Sequence, residues 1–312
     1  MDFPGARRRG AVPMRYARSW MIVVSLAALP LSGCRLTGHD GPAPKSVVEC
    51  RRLSQQGVAA LDRGQQRDAE TLLAKAVAAC PADAEARRHY AEALWRRGDQ
   101  KEAIGQLEES GRLAGDDPLV WSRLAEMYLA TGQAELAWKN ADRAIDLDPR
   151  LPNAWAIRGG VFRASGQPGE ALTCYLRGLG YAPKDRAILT QVAELYRQQN
   201  QPERSLQTLQ CLADTYSPGE EPAQVEDYLG QAYAALGRYD DAVESFSLAV
   251  RRGKPTAEML CHLGEAQFLA GNSLEAAATA QRALAIEPRH PPSLALLERI
   301  QLAEHSQGTM TR

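Results

Sequence analysis

A chain of 312 residues, 45% hydrophobic and 24% charged, is long enough to bury a sizeable core and too apolar to stay disordered. Abundant Ala and Leu, with few β-branched residues and only four Phe and ten Tyr, lean toward helices. Setting aside an N-terminal segment that holds Arg7, Arg8, Arg9, Arg15 and Arg18 against Asp2 leaves 32 basic and 37 acidic residues, a net of −5. No later Lys/Arg run exceeds a pair such as Arg51-Arg52, which argues against a phosphate-binding face and against nucleic acid as a partner.

Residues 1–33 combine that basic region with the apolar stretch Trp20 to Leu31 and a small-residue ending, the pattern of a secretory signal peptide. The apolar run is about half of the ~20 residues a spanning helix needs. It ends in Leu31-Ser32-Gly33-Cys34, which resembles the lipobox of bacterial lipoproteins. That resemblance implies cleavage before Cys34, acylation of its sulfur, and durable anchoring, since each buried CH₂ contributes about 0.8 kcal/mol. It also implies an anchored body facing the periplasm, and Arg35 where an inner-membrane retention signal has Asp favours the outer membrane. Arg7-Arg8-Arg9 lacks the apolar pair of a twin-arginine signal, and Met14 offers an alternative start. Residues 34–49 are rich in Gly and Pro at first and read as a flexible tether.

From residue 50 the chain repeats every 34 residues. Small residues recur at Gly57, Ala91, Ala125, Gly159 and Ala193, then at Gly230 and Gly264 after a three-residue insertion. A second small row runs in phase through Ala69, Ala103, Ala137, Ala171, Ser205, Ala242 and Ala276. A third, Gly64, Gly98, Gly132, Gly166, Asn200, Gly237 and Gly271, marks a turn where positive φ closes a helix. Each unit therefore reads as helix A, a tight turn and helix B, ended near a proline such as Pro149 or Pro183. The units span 50–83, 84–117, 118–151, 152–185, 186–222, 223–256 and 257–290; residues 291–305 form an amphipathic capping segment and 306–312 an unstructured tail.

The third unit, with Trp121, Leu124, Ala125, Tyr128, Gly132, Ala137, Ala144 and Pro149, closely resembles a tetratricopeptide repeat. The resemblance covers residues 50 to 290 and implies an all-α fold, a right-handed superhelix of about seven helix-turn-helix repeats plus the capping helix. Arg87 and Glu226 depart from it, standing where an apolar residue is usual, and the insertion from Ser217 to Pro222 is expected to bend or loosen the stack.

The family geometry implies a concave groove lined by the second, fifth, ninth and twelfth residues of each helix A. Those places hold Arg88, Glu92 and Trp95, then Ser122 and Glu126, Arg163, Glu194 and Arg197, and Glu265. The recurring Glu suggests a row of carboxylates that suits a basic or hydrogen-bond-donating peptide. The Lys, Arg and Asn clamp of chaperone-binding repeats and the asparagine ladder of the O-linked N-acetylglucosamine transferases are both missing.

No metalloprotease, nucleophile-elbow, dinucleotide or phosphate-loop pattern occurs, so no catalytic residue, cofactor or metal is expected. His89 and His262 stand on helices A, where lone histidines are more often solvated than catalytic. Cys50 and Cys80 open and close the first repeat and are candidates for a disulfide in an oxidising compartment, while Cys174, Cys211 and Cys261 read as small packing residues. The combined reading is a non-enzymatic, membrane-anchored scaffold for protein or peptide partners in the bacterial envelope. Its alternatives are a pilotin-like assembly factor for an outer-membrane complex and a regulatory subunit of an envelope enzyme.

Overall fold

The structure, a computed structural model, describes residues 45–310, so residues 1–33, Cys34 and most of the tether lie outside the described residues. Among the described residues there are fifteen helices and no strand. Seven hairpins follow one another: α1 (Lys45–Asp62) with α2 (Gln66–Ala79), α3 (Ala84–Arg97) with α4 (Gln100–Ala114), α5 (Pro118–Ala130) with α6 (Ala134–Leu147), and α7 (Pro152–Ala164) with α8 (Pro168–Tyr181). Then come α9 (Arg186–Gln198) with α10 (Pro202–Ala213), α11 (Ala223–Ala235) with α12 (Tyr239–Arg252), and α13 (Ala257–Leu269) with α14 (Ser273–Ile286). A single helix, α15 (Pro291–Met310), ends the array.

Two boundaries differ from the sequence reading. The chain is already helical at Lys45, the first described residue, inside the expected tether. Helix α15 passes His305 and continues to Met310, where no proline stops it.

The turn inside each hairpin has one chemistry. Gly64, Gly98, Gly132, Gly166, Gly237 and Gly271 have positive φ, and Asn200, at φ 54°, is the one non-glycine residue that does among those described. The residue after each donates its N–H to the carbonyl five residues before it, as in Gln133 to Tyr128 and Gln201 to Tyr196, which satisfies a carbonyl left open at the helix end. Several odd helices start on a side-chain cap: Asp83, Asp117, Asp185 and Thr256 accept from the N–H of Ala86, Leu119, Ile188 and Met259.

Packing inside a hairpin follows a small-against-large rule. A Cβ on Gly57 would meet Leu73 at 2.5 Å, one on Gly159 would meet Tyr175 at 3.0 Å, and one on Gly230 would meet Phe246 at 2.6 Å. In the third repeat both partners are small, Ala125 and Ala141, and both are fully buried. At 57, 159 and 230 glycine makes room for a bulky side chain of the opposite helix, whereas Ala91 and Ala193 pack against Leu107 and Leu209 with their methyl in place.

Between hairpins the even helix of one repeat packs on the odd helix of the next. In addition α1 touches α3, α5 touches α7, α11 touches α13, and α13 touches α15, while successive even helices make no comparable contact. The odd helices are thus the closer-spaced layer and line the inner side of the curve.

The insertion between the fifth and sixth repeats does not loosen the stack, since α10 packs on α11 much as other repeats join. Arg252 of α12 holds it, reaching Glu221 at 2.7 Å, the buried Glu226 at 2.5 Å and the Glu221 carbonyl at 3.2 Å. The other departure is equally well accommodated. Trp121 and Trp155 donate Nε1–H to the carbonyls of Gly115 and Pro149, and Arg87 at the equivalent place donates Nε–H to the Pro81 carbonyl at 2.7 Å. Arginine keeps the hydrogen bond that ties the helix to the preceding turn and adds a second to Gln106.

Candidate functional site

The inner face of the odd helices is built from side chains that bridge neighbouring repeats. On α3, Glu92 accepts from Arg96 at 3.1 Å and from Arg123 of α5 at 2.7 Å. Arg123 continues to Glu126 at 2.8 Å, and its guanidinium lies 5.9 Å from the centre of the Trp95 ring. Burial opposes the charge of Arg123, yet Glu126 and Glu92 outweigh it and hold its pKa above the ordinary value. Arg88 sits 4.0 Å from Glu85. Ser122 is buried and accepts from Asn153 of α7 at 3.2 Å.

Further along, Glu194 receives two hydrogen bonds from Arg197, at 2.7 and 2.6 Å, and a third from Gln198. The Arg197 bonds, more than any other cause, hold the Glu194 carboxyl below the usual range. Arg163 is exposed at the end of α7; its charge acts on Glu194 and on Tyr175, whose pKa burial raises. Asp227 of α11 and His262 of α13 meet at 3.0 Å, and Glu265 faces Arg299 of α15 at 3.6 Å.

The structure thus corrects the expected row of free carboxylates. Glu92, Glu126, Glu194 and Glu265 each have an arginine partner, and the groove is close to self-neutral. Arg123, Asp227 and Arg299 were missed because they stand at the sixth place of a helix, in a repeat not singled out, or on the cap, while His262 was noted only as a lone histidine. A charged residue one repeat away in phase with a groove Glu was the available signal. Such half-exposed pairs are worth at most about 1 kcal/mol each, so a ligand can exchange them at low cost.

Between these charged stretches Leu129 of α5 occupies the space that a Cβ on Gly160 of α7 would fill, and Leu119 of α5 is half exposed. At the N-terminal end a cavity of about 610 Å³ opens between α1 and α3, lined by Arg51, Ser54, Val58, Asp62, Glu85 and His89. Burial, then the charge of Arg88, depresses the His89 pKa.

Cys50 and Cys80 are free thiols brought together by the first hairpin. Cys50 Sγ lies 3.5 Å from Asp83 Oδ2, and Cys80 Sγ lies 3.4 Å from the Ser46 carbonyl. Cys174 and Cys261 are buried packing residues as expected, whereas Cys211 is exposed because α10 turns that position outward. Among the described residues no group of three or more His, Cys, Asp or Glu is arranged to hold a metal, and no helix is long and apolar enough to cross a membrane.

A family model described as tetratricopeptide repeat matches residues 54–118 and 229–291. The Hsp70-Hsp90 organizing protein of Triticum aestivum is 24% identical over 149 residues, which is 48% of this chain and 26% of that protein. The chain spans between a fifth and about a quarter of the curated relatives it matches. Two solved structures share the fold. A tetratricopeptide repeat protein from Parabacteroides merdae superposes with TM-score 0.55 at 16% identity, over 81% of this chain and 99% of that one. Pseudomonas aeruginosa pilF superposes with TM-score 0.59 at 16% identity, over 67% of this chain and 93% of that one.

Proposed function

From the premise that this chain is a tetratricopeptide-repeat protein, and so a scaffold for protein-protein contact, we propose that it is a non-catalytic, membrane-tethered organiser of a bacterial envelope complex. Peptide segments of its partners bind along the inner face of the odd helices. The observation that carries this reading is the groove itself: exchangeable Arg-Glu pairs on α3, α5 and α9 stand on either side of the Leu129-Gly160 contact between α5 and α7. An extended peptide suits such a surface, placing an apolar side chain on the middle and charges of either sign at its ends, where each displaces one member of an existing pair. The occupant the groove accepts is therefore amphipathic and of mixed charge, not simply basic.

The tether rests on Leu31-Ser32-Gly33-Cys34, and the envelope location on the apolar leader before it. Attachment through acylated Cys34, facing the periplasm from the outer membrane, places the groove beside envelope assemblies. Two experiments test the two halves separately. Labelled fatty acid incorporated into the wild type but not into Cys34→Ser supports the anchor, and equal labelling removes it. Crosslinking in envelopes with an Arg123→Glu, Arg197→Glu chain tests the groove; partners retained at wild-type yield would move recognition elsewhere.

A further inference from the structure

A second cleft lies on the opposite side of the array. It has a volume of about 510 Å³ and opens between the even helices α4 and α6, with Trp121, Leu124 and Tyr128 of α5 at its floor. Gly105 forms part of its wall. This glycine is in the middle of α4, where it weakens the helix, and a Cβ there would meet nothing within 4 Å. The glycines at 57, 159 and 230 are explained by a bulky neighbour, and Gly105 is not. Its effect is to keep the cleft open, and in the next repeat the same place is taken by Lys139.

The charges around the cleft do not cancel. Glu108 accepts from the Tyr128 hydroxyl, and Glu109 pairs with Arg112, so both carboxylates are engaged within the wall. Arg143 stacks 3.7 Å above the centre of the Trp121 ring and donates to the Gly115 carbonyl at 3.2 Å, with no carboxylate partner among the described residues. Among the described residues Lys139 makes no ion pair. Glu108 keeps its charge in the bond from the neutral Tyr128 hydroxyl, so the cleft carries a surplus of one cation, with Arg143 over the Trp121 ring and Lys139 and the half-exposed Leu136 lining the same cleft.

We propose that this outer cleft is a second peptide-docking site, specific for a segment that carries an acidic side chain next to a bulky apolar one. The carboxylate pairs with Lys139 and Arg143, and the apolar group covers Leu136 and the Trp121 edge. The inner groove, self-neutralised, has no such preference for acid. A chain with both surfaces joins two different partners on its two sides, which extends the scaffold reading and does not depend on which partner fills the groove.

The test is a fluorescence-anisotropy titration of the full-length chain in detergent with a labelled, end-capped hexapeptide of alternating Asp and Phe. The control peptide replaces Asp by Lys. The acidic peptide is expected to bind, and Lys139→Glu to weaken it by about tenfold, a loss of one lysine-carboxylate contact. Gly105→Leu is the decisive variant, because it fills the cleft while removing a mid-helix glycine, so it blocks binding with no loss of thermal stability. Arg123→Ala in the groove leaves binding unchanged. Equal binding of both peptides, equal binding by all variants, loss of binding in Arg123→Ala alone, or no binding to the wild type would each overturn the proposal.

Discussion

Glu226 and Arg252 meet at 2.5 Å at a place where other repeats carry Trp121, Trp155, Leu189 or Leu260. Glu226 is almost fully buried, and burial raises its carboxyl pKa against the opposing pull of Arg252. Removing the arginine leaves that carboxylate unpaired, which costs about 3 kcal/mol at neutral pH. A carboxyl whose folded pKa lies above its unfolded one costs stability at high pH and less as pH falls through the folded value. Arg252→Ala should therefore lower the urea midpoint strongly at pH 7 and much less at pH 5; a deficit constant across that range would mean packing, not charge, explains the pair. In Glu226→Leu, Arg252 keeps Glu221, and stability should stay within about 1 kcal/mol of wild type.

The Asp227-His262 contact joins the sixth and seventh repeats on the inner face. Burial lowers the His262 pKa, but the hydrogen bond and charge of Asp227, with Glu258 and Glu265 nearby on α13, raise it net above the usual value. The ring also packs on Phe246 of α12, 5.5 Å between centres. A raised folded pKa gives stability that is complete below the unfolded value of about 6.5 and is lost as pH rises through the folded one. NMR titration of the His262 ring should give a pKa above 6.5 in the wild type and a lower one in Asp227→Asn, where only Glu258 and Glu265 oppose burial. A wild-type value at or below 6.5 would show that the contact does not carry charge.

The architecture was legible because its causes are local and repeat. Rows of small residues, a turn glycine and a closing proline each act within one hairpin, so spacing alone reveals them, and Asn200 takes the positive φ its place in the row implies. Much of the site was not legible because its partners lie a full repeat apart and on two helices. Glu92 reads as a free carboxylate until Arg123, 31 residues on, is placed beside it. Similarly Arg87 and Glu226 look like flaws until the Pro81 carbonyl and Arg252 are found opposite them. The outer cleft gave a signal that went unread, a glycine at mid-helix with no bulky partner in phase.

The contacts at individual helix glycines predict which alanines are tolerated. In Gly230→Ala the new methyl is forced against Phe246, which should cost about 1–3 kcal/mol despite the gain in helix propensity. Phe246→Leu in the same chain should recover part of the loss, because the two sites share one contact. Gly105→Ala, with nothing in reach, should instead stabilise by up to about 1 kcal/mol. Urea melts of the wild type, the two single variants, their double and Gly105→Ala decide the matter; additive effects of Gly230→Ala and Phe246→Leu would show that the methyl does not press on the ring.

The Cys50-Cys80 pair makes a prediction about rate as well as outcome. Burial first, then hydrogen bonding to Cys80 and Asp83, pushes the Cys50 thiol up to about 12, so at neutral pH it is a poor nucleophile. Oxidation must begin at Cys80, the less buried of the two, attacking a disulfide oxidant and releasing one of its thiols. Cys50 then loses its proton and displaces the second thiol, closing the bridge between the ends of the first hairpin. Loop closure of that length would stabilise the chain by roughly 3–4 kcal/mol. With oxidised glutathione, mass spectrometry should show a mixed disulfide at Cys80 accumulating before the bridge, and Asp83→Asn, which removes a neighbouring negative charge, should speed the second step. Alkylation of both thiols after prolonged oxidation would show that the pair does not close.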